Sequence, residues 1–176
     1  TLSKMPVLNL TGFGSLPAIV FTAASSQELL SSAVTLAQPI TTSSVYLRGS
    51  ASGQIISAAG GGSFFARSAN GSTTINAGTD SGNQGTATNG AWHAFQAVFN
   101  GASSAVFIDG TATTGFNAGT NGFSSHTIGI GSVTSVAFFD GSMAEVGLWG
   151  SAFTTSGGGQ ADQINSNQHG SNGYSF

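Results

Sequence analysis

Hydrophobic positions alternate with polar ones over short stretches of this chain, and turn signals close most stretches. Pro17-Ala-Ile-Val-Phe-Thr22 predicts one strand and Thr42-Ser-Ser-Val-Tyr-Leu-Arg48 another. Residues 54–57, 64–67 and 73–76 follow, then 92–99, 105–108, 136–139 and 143–149. Asn70-Gly71, Asn100-Gly101, Asp109-Gly110 and Asp140-Gly141 stand at strand ends. Such pairs suit type I′ hairpin turns, which need positive φ at both central residues. Turn signals at this spacing predict an all-β sandwich or barrel. Helix is expected only at residues 160–169, after Gly157-Gly158-Gly159, with Thr154, Thr155 and Ser156 placed to cap a turn. Its apolar face is thin (Ala161, Ile164), which fits a short surface helix. The longest predicted loops are 78–90 and 115–125, a size that is usually functional or mobile.

Composition then decides between folded and disordered. Gly, Ser and Thr supply 73 of the 176 residues, and only 5% of residues are charged, against roughly 25% in an ordinary domain. Disordered chains are poor in aromatics and rich in net charge, whereas this chain has 10% aromatics and a net charge of −3. A folded domain with a surface of hydroxyls and amides is the reading that fits both. Three basic residues cannot build a nucleic-acid footprint. The absence of Cys removes disulfides, thiolate metal sites and a Cys nucleophile. Residues 5–27 are uncharged, but Pro6, Gly12, Gly14 and Pro17 interrupt them, so no membrane span is expected. Residues 1–176 are expected to form one domain, and a chain beginning at Thr1 is expected to be processed or excised from something longer.

The order of several short motifs is informative. Trp92-His93, Val98-Phe-Asn-Gly101, Val106-Phe-Ile-Asp-Gly110, Ile128-Gly129, Phe139-Asp-Gly-Ser-Met-Ala-Glu-Val-Gly-Leu-Trp149 and Phe153-Thr154 follow one another. This succession resembles the concanavalin A-like, laminin G-like jelly-roll family. Residues 17–22, Gln27-Glu-Leu-Leu30 and Leu36-Ala-Gln-Pro39 are similar to its opening strands, and Gln163-Ile-Asn-Ser-Asn-Gln168 with Tyr174 to the tail of bacterial and phage-borne members. The resemblance implies an all-β, two-sheet antiparallel jelly-roll sandwich with a short C-terminal helix. It leaves open lectins, glycan-binding modules, glycosidases and virion domains, because fold alone does not choose among them.

The chemistry of the residues narrows that choice. Glycoside hydrolysis needs two carboxyl groups roughly 5 to 9.5 Å apart. The chain has six acids, Glu28, Asp80, Asp109, Asp140, Glu145 and Asp162, and none matches the hydrolase branch's Glu-x-hydrophobic-Asp-x-x-Glu strand. Asp109 and Asp140 precede Gly at expected turns, and Glu145 is expected as a hydrogen-bonded packing residue. No phosphate-binding loop surrounds Lys4, no nucleophile elbow frames a Ser, and His93, His126 and His169 lack zinc spacing. His93 is expected to face solvent or a polar neighbour. No catalytic residue and no cofactor are therefore expected. Calcium is the one ion to weigh: Asp80-Ser-Gly-Asn83 offers a single carboxylate, which makes a weak site.

Sugar binding rests on exposed aromatic faces and amides. Trp92 and Trp149 lie on strongly apolar strands and are expected in the core, so Tyr46, Asn83, Asn117 and Asn121 become the candidate ligand residues, with loop solvation as the plain alternative. Asn9-Leu-Thr11 and Asn70-Gly-Ser72 match the glycosylation pattern, which arises often by chance in a chain this rich in Ser and Thr. The expected function is a non-catalytic structural or adhesion module of a phage virion, such as a decoration, fibre or tail-associated protein. A secreted carbohydrate-binding module is the alternative. Low charge also limits repulsion between copies, so expected partners are the chain itself as homo-oligomer or array, other virion proteins, or cell-surface glycans. Neither nucleic acid nor membrane is expected, and the expected location is a virion or the extracellular space.

Overall fold

The computed structural model describes residues 4–30, 32, 34–49, 53–58, 65–69, 72–124, 126–129, 138–154 and 159–169. Its strands are β1 (Val7–Phe13), β2 (Leu16–Phe21), β3 (Leu29–Leu30), β4 (Thr35–Leu36), β5 (Ile40–Arg48), β6 (Gly53–Ala58) and β7 (Phe65–Ala69). They continue as β8 (Ser72–Asn76), β9 (Trp92–Phe99), β10 (Ser104–Ile108), β11 (Thr111–Phe116), β12 (Phe123–Ser124), β13 (His126–Ile128) and β14 (Gly141–Trp149), before helix α1 (Gln160–His169). Seven strands pair in the order β1-β2-β14-β5-β9-β10-β11, five in the order β3-β13-β6-β7-β8, and β12 pairs with β4. Every pairing is antiparallel.

The period of two along the central strands explains how the layers stack. Phe95, Ala97 and Phe99 of β9 join Val106 and Ile108 of β10 in the core between the sheets. The intervening Val98, Ala105 and Phe107 face the other way and meet Phe153, Ala161 and Ile164. The seven-stranded sheet is thus buried on both faces in its middle, by the five-stranded sheet and by α1. Polar latches fix the helix: Ser43 Oγ donates to Gln168 Oε1 (2.9 Å), and Gln168 Nε2 donates to Glu145 Oε1 (2.8 Å). Gln96 Nε2 donates to the Ala161 carbonyl at 3.2 Å.

β5 alternates in the same way, with an unusual inner face. Ile40 and Tyr46 belong to the inter-sheet core, so Thr42, Ser44 and Arg48 share that side. All three are at most 2% exposed. Thr42 Oγ1, Ser44 Oγ and the Nε and Nη1 of Arg48 have no hydrogen-bond partner among the described residues.

Most expected elements are found within a residue or two, but the turns differ. Asp109 and Gly110 have φ of +49° and +81°, and Ile108 pairs with Thr111 across them, so this is the two-residue hairpin expected. Asn100-Gly101 is not: a helical turn over Gly101–Ser103 joins β9 to β10, with Asn100 at φ −150°. Asp140 is not in a tight hairpin either. Its Oδ1 accepts from Ala23 N–H (3.3 Å) and its carbonyl from Gly49 N–H (2.7 Å). β1 and β11 arise where no strand is expected, and β11 and β12 shorten the expected 115–125 loop. The Asn70-Gly71 turn, residues 136–137 of an expected strand, the 155–158 cap and hinge residues, and Tyr174 lie outside the described residues.

Candidate functional site

Between β8, at one edge of the five-stranded sheet, and β11, at one edge of the other, residues 77–91 run along the side of the sandwich. Short polar side chains fold this segment. Asn76 Oδ1 accepts from Gly78 N–H, Asp80 Oδ1 from Gly82 N–H and Asn83 Oδ1 from Gly85 N–H, at 2.8, 2.8 and 3.0 Å. Each is an Asx turn closed on a glycine two residues later. Asn117 Oδ1 does the same for Gly119 N–H (2.8 Å).

At one end, the segment is zipped to the loop 117–122. Ala77 and Thr79 N–H donate to the Ala118 carbonyl, and Asn121 N–H donates to the Ala77 carbonyl. Gly119 (φ +92°) lies so close that a Cβ there would stand 2.2 Å from the Ala77 carbonyl oxygen. Gln38 ties this end down, donating through Nε2 to the carbonyls of Gly119 and Asn121 and accepting from Gly101 N–H.

At the other end the Asp109-Gly110 hairpin supplies a charged anchor. Asp109 Oδ1 accepts from Ala94 N–H (2.9 Å), and its Oδ2 lies 2.7 Å from His93 Nδ1. His93 Nε2 faces the Thr88 carbonyl at 3.1 Å, with Thr88 Oγ1 at 3.5 Å. Thr88, His93 and Asp109 stand in the order of a nucleophilic relay. The imidazole, however, is buried and closer to the carbonyl than to the hydroxyl, an arrangement that pins residues 84–90 to the hairpin.

Beside this anchor opens a cleft of about 340 Å³, lined by Gln84, Gly85, Thr86, Ile108, Asp109, Thr111 and Thr113. Thr111 and Thr113 share one face of β11. Ile108 forms an apolar floor, and Gly85 packs on it because a Cβ there would meet Ile108 Cδ1 at 2.6 Å. The cleft therefore offers the hydroxyls of Thr86, Thr111 and Thr113 and the Gln84 amide around an apolar strip, with Gln84 Nε2 donating to the Ser81 carbonyl and both Asp109 oxygens already engaged.

The expected ligand residues fare differently. Tyr46 is in the core at 0% exposure, its ring packed against Phe95, Phe139 and His93, and has no face open to a sugar. An aromatic with a polar hydroxyl suited a sugar face, but both faces of β5 are covered. Asn117 and Asn121 are exposed together at the zipped end, Asp80 and Asn83 on the segment between. The amide oxygens of Asn83 and Asn117 are engaged in turns, as is Asp80 Oδ1. One exposed carboxylate with an oxygen so engaged does not fit a six- to eight-oxygen calcium site. Among the described residues no three His, Asp or Glu come together. Trp92 and Trp149 are half-buried and outside the inter-sheet core. Trp92 takes the Phe13 ring edge-on at 4.5 Å, and Trp149 lies with Phe153 under α1. His93 has the polar neighbour expected, and Glu145 is hydrogen-bonded but exposed. The side chains of His126 and His169 lie outside the description. Gln84, Thr111 and Thr113 carry no motif that would single them out from the other hydroxyls and amides of this chain.

No family model matches the chain, and no curated protein matches it. Solved structures do share its fold. The heptameric SAP-like pentraxin from Limulus polyphemus aligns with a TM-score of 0.64 at 17% identity, over 89% of this chain and 82% of that one. Domain 4 of AbnA, an extracellular arabinanase from Geobacillus stearothermophilus solved with arabinotriose, aligns at 0.64 and 14%, over 85% and 77%. The enzymatically active domain of bacteriophage CBA120 tailspike protein 2 aligns at 0.55 and 17%, over 81% of this chain and 27% of that one. The fold is the concanavalin A-like, laminin G-like jelly-roll sandwich.

Proposed function

We propose that residues 1–176 act as one non-catalytic recognition module that takes a neutral carbohydrate in the side cleft, carried on a phage virion or another extracellular assembly. The cleft itself carries this reading. A pyranose or furanose needs hydroxyl-matching groups around an apolar strip. Gln84, Thr86, Asp109, Thr111 and Thr113 around Ile108 supply both. Hydrolysis needs a second carboxyl group, and Asp109 is the only acid lining the cleft among the described residues, with both oxygens engaged. The arabinotriose-bound arabinanase domain supports a sugar ligand, and the tailspike supports a virion setting.

Calorimetric titration with a panel of neutral oligosaccharides, arabinotriose included, tests the proposal. The expected result is binding in the micromolar to millimolar range, weakened about tenfold by Gln84→Ala, which corresponds to roughly 1.4 kcal/mol. Thr113→Lys, which fills the cleft, should abolish it. Absence of heat for every sugar, or binding untouched by both substitutions, would sink the reading. Hydrolysis of any panel member would overturn its non-catalytic half. A second reading, a module whose task is assembly alone, is favoured by the apolar hairpin considered next.

A further inference from the structure

β1 is an outermost strand of the seven-stranded sheet, and no described strand pairs with its outer side. A free row of N–H and C=O groups invites a strand from another chain, so monomeric proteins guard such edges with charge, proline or cover. β1 (VLNLTGF) contains neither charge nor proline, only a register irregularity between Asn9 and Phe13. No residue from Met5 to Gln27 is charged, and the flanking Lys4 and Glu28 are opposite in sign.

The side chains reinforce this. Met5, Val7, Leu8, Leu10, Leu16 and Leu30 are the exposed large hydrophobics of the described residues, at 42% to 70% exposure. Five of the six lie on or beside the β1–β2 hairpin. Next to them is an apolar groove of about 360 Å³. It forms because β2 pairs with β14 only through Ile19–Phe21, and β14 has a register shift between Met143 and Glu145. Pro17, Ala18, Met143 and Val146 are left lining the gap, with Leu29 and Ile128 from the second sheet, and Glu145 is the only charged wall among the described residues.

We propose that this face binds a second copy of the chain, the hairpin of each copy seated against the hairpin and groove of the other about a two-fold axis. An isologous contact needs projecting and receiving surfaces on one patch, and both are here. Glu145 is the one charge among the described residues of the patch, so identical copies repel little, and a partner chosen by charge would find a single carboxylate to pair with. A stable specific pair needs to bury about 1,200 Å² in total, and the exposed hairpin side chains are what would meet that size. This inference does not depend on the sugar reading.

Sedimentation equilibrium of the full chain tests it. At about 100 µM, well above a micromolar Kd, the species should have twice the 17.4 kDa chain mass. Leu10→Lys and Leu8→Lys, both at exposed positions and checked for folding by circular dichroism, should give monomers that still bind sugar. Thr113→Lys, on the opposite edge strand, should stay dimeric while losing sugar. A monomeric parent at that concentration, or an oligomer indifferent to both hairpin substitutions, overturns the proposal.

Discussion

Arg48 closes β5 at 1% exposure; among the described residues its side chain makes one hydrogen bond, from Nη2 to the Ala87 carbonyl at 3.3 Å, and meets no carboxylate. Burial pushes its pKa below the usual value, and the neighbouring Tyr46 partly opposes that shift. Removing a buried charge that lacks a carboxylate relieves desolvation. Arg48→Met should therefore raise stability by about 1 kcal/mol, the lost Ala87 bond offsetting part of a larger gain. Urea denaturation measures this, and a lower midpoint at unchanged slope would refute it. Nothing in Val45-Tyr-Leu-Arg48 distinguishes a buried cation from an exposed strand end. At Asp109 the sequence was more legible: an Asp-Gly pair asks for positive φ, and both residues have it. The same carboxylate's grip on His93, sixteen residues earlier, needed the β9–β10 register to be known.

At the scale of elements, α1 is short and weakly amphipathic, yet it covers Val98, Phe107 and Trp149. Gln168, 2% exposed, joins it to both Ser43 and Glu145. Gln168→Ala should cost about 1–2 kcal/mol by leaving Ser43 Oγ buried without that acceptor. Hydrogen exchange should show faster opening of α1 amides, with β9 amides far less changed; equal loss in both would mean that the helix is part of the cooperative core. The helix bounds were readable from its polarity and the preceding glycines. β11 (TATTGF) was not, because its hydrogen bonds to β10, and no strong apolar alternation, hold it in the sheet. β1 was missed for the opposite reason: its apolar residues remain exposed, so the expectation of one buried face does not apply.

For the molecule as a whole, scarce charge makes packing and hydrogen bonds the source of stability. Nine formal charges occur in 176 residues, and Asp109 lies against the imidazole of His93, a pairing that is ionic only when the imidazole is protonated. Screening therefore has little to act on, and Tm should move by less than about 2 °C between low salt and roughly 0.5 M NaCl. Differential scanning calorimetry checks this, and a larger shift would reveal electrostatic support not accounted for by these charges.

By itself the sequence determined the class of the fold, because period-two alternation and Asp-Gly turn chemistry are local and act wherever the chain places them. It also limited the chemistry, since six acids and no cysteine are fixed before folding. Tertiary structure decided everything that depends on two distant segments meeting. It buried Tyr46 by covering both faces of β5, and it assembled the cleft from residue 84 to residue 113 across two sheet edges. It also left the β1–β2 hairpin apolar and open. Exposure and proximity are properties of the packed layers, and no window of neighbouring residues contains them.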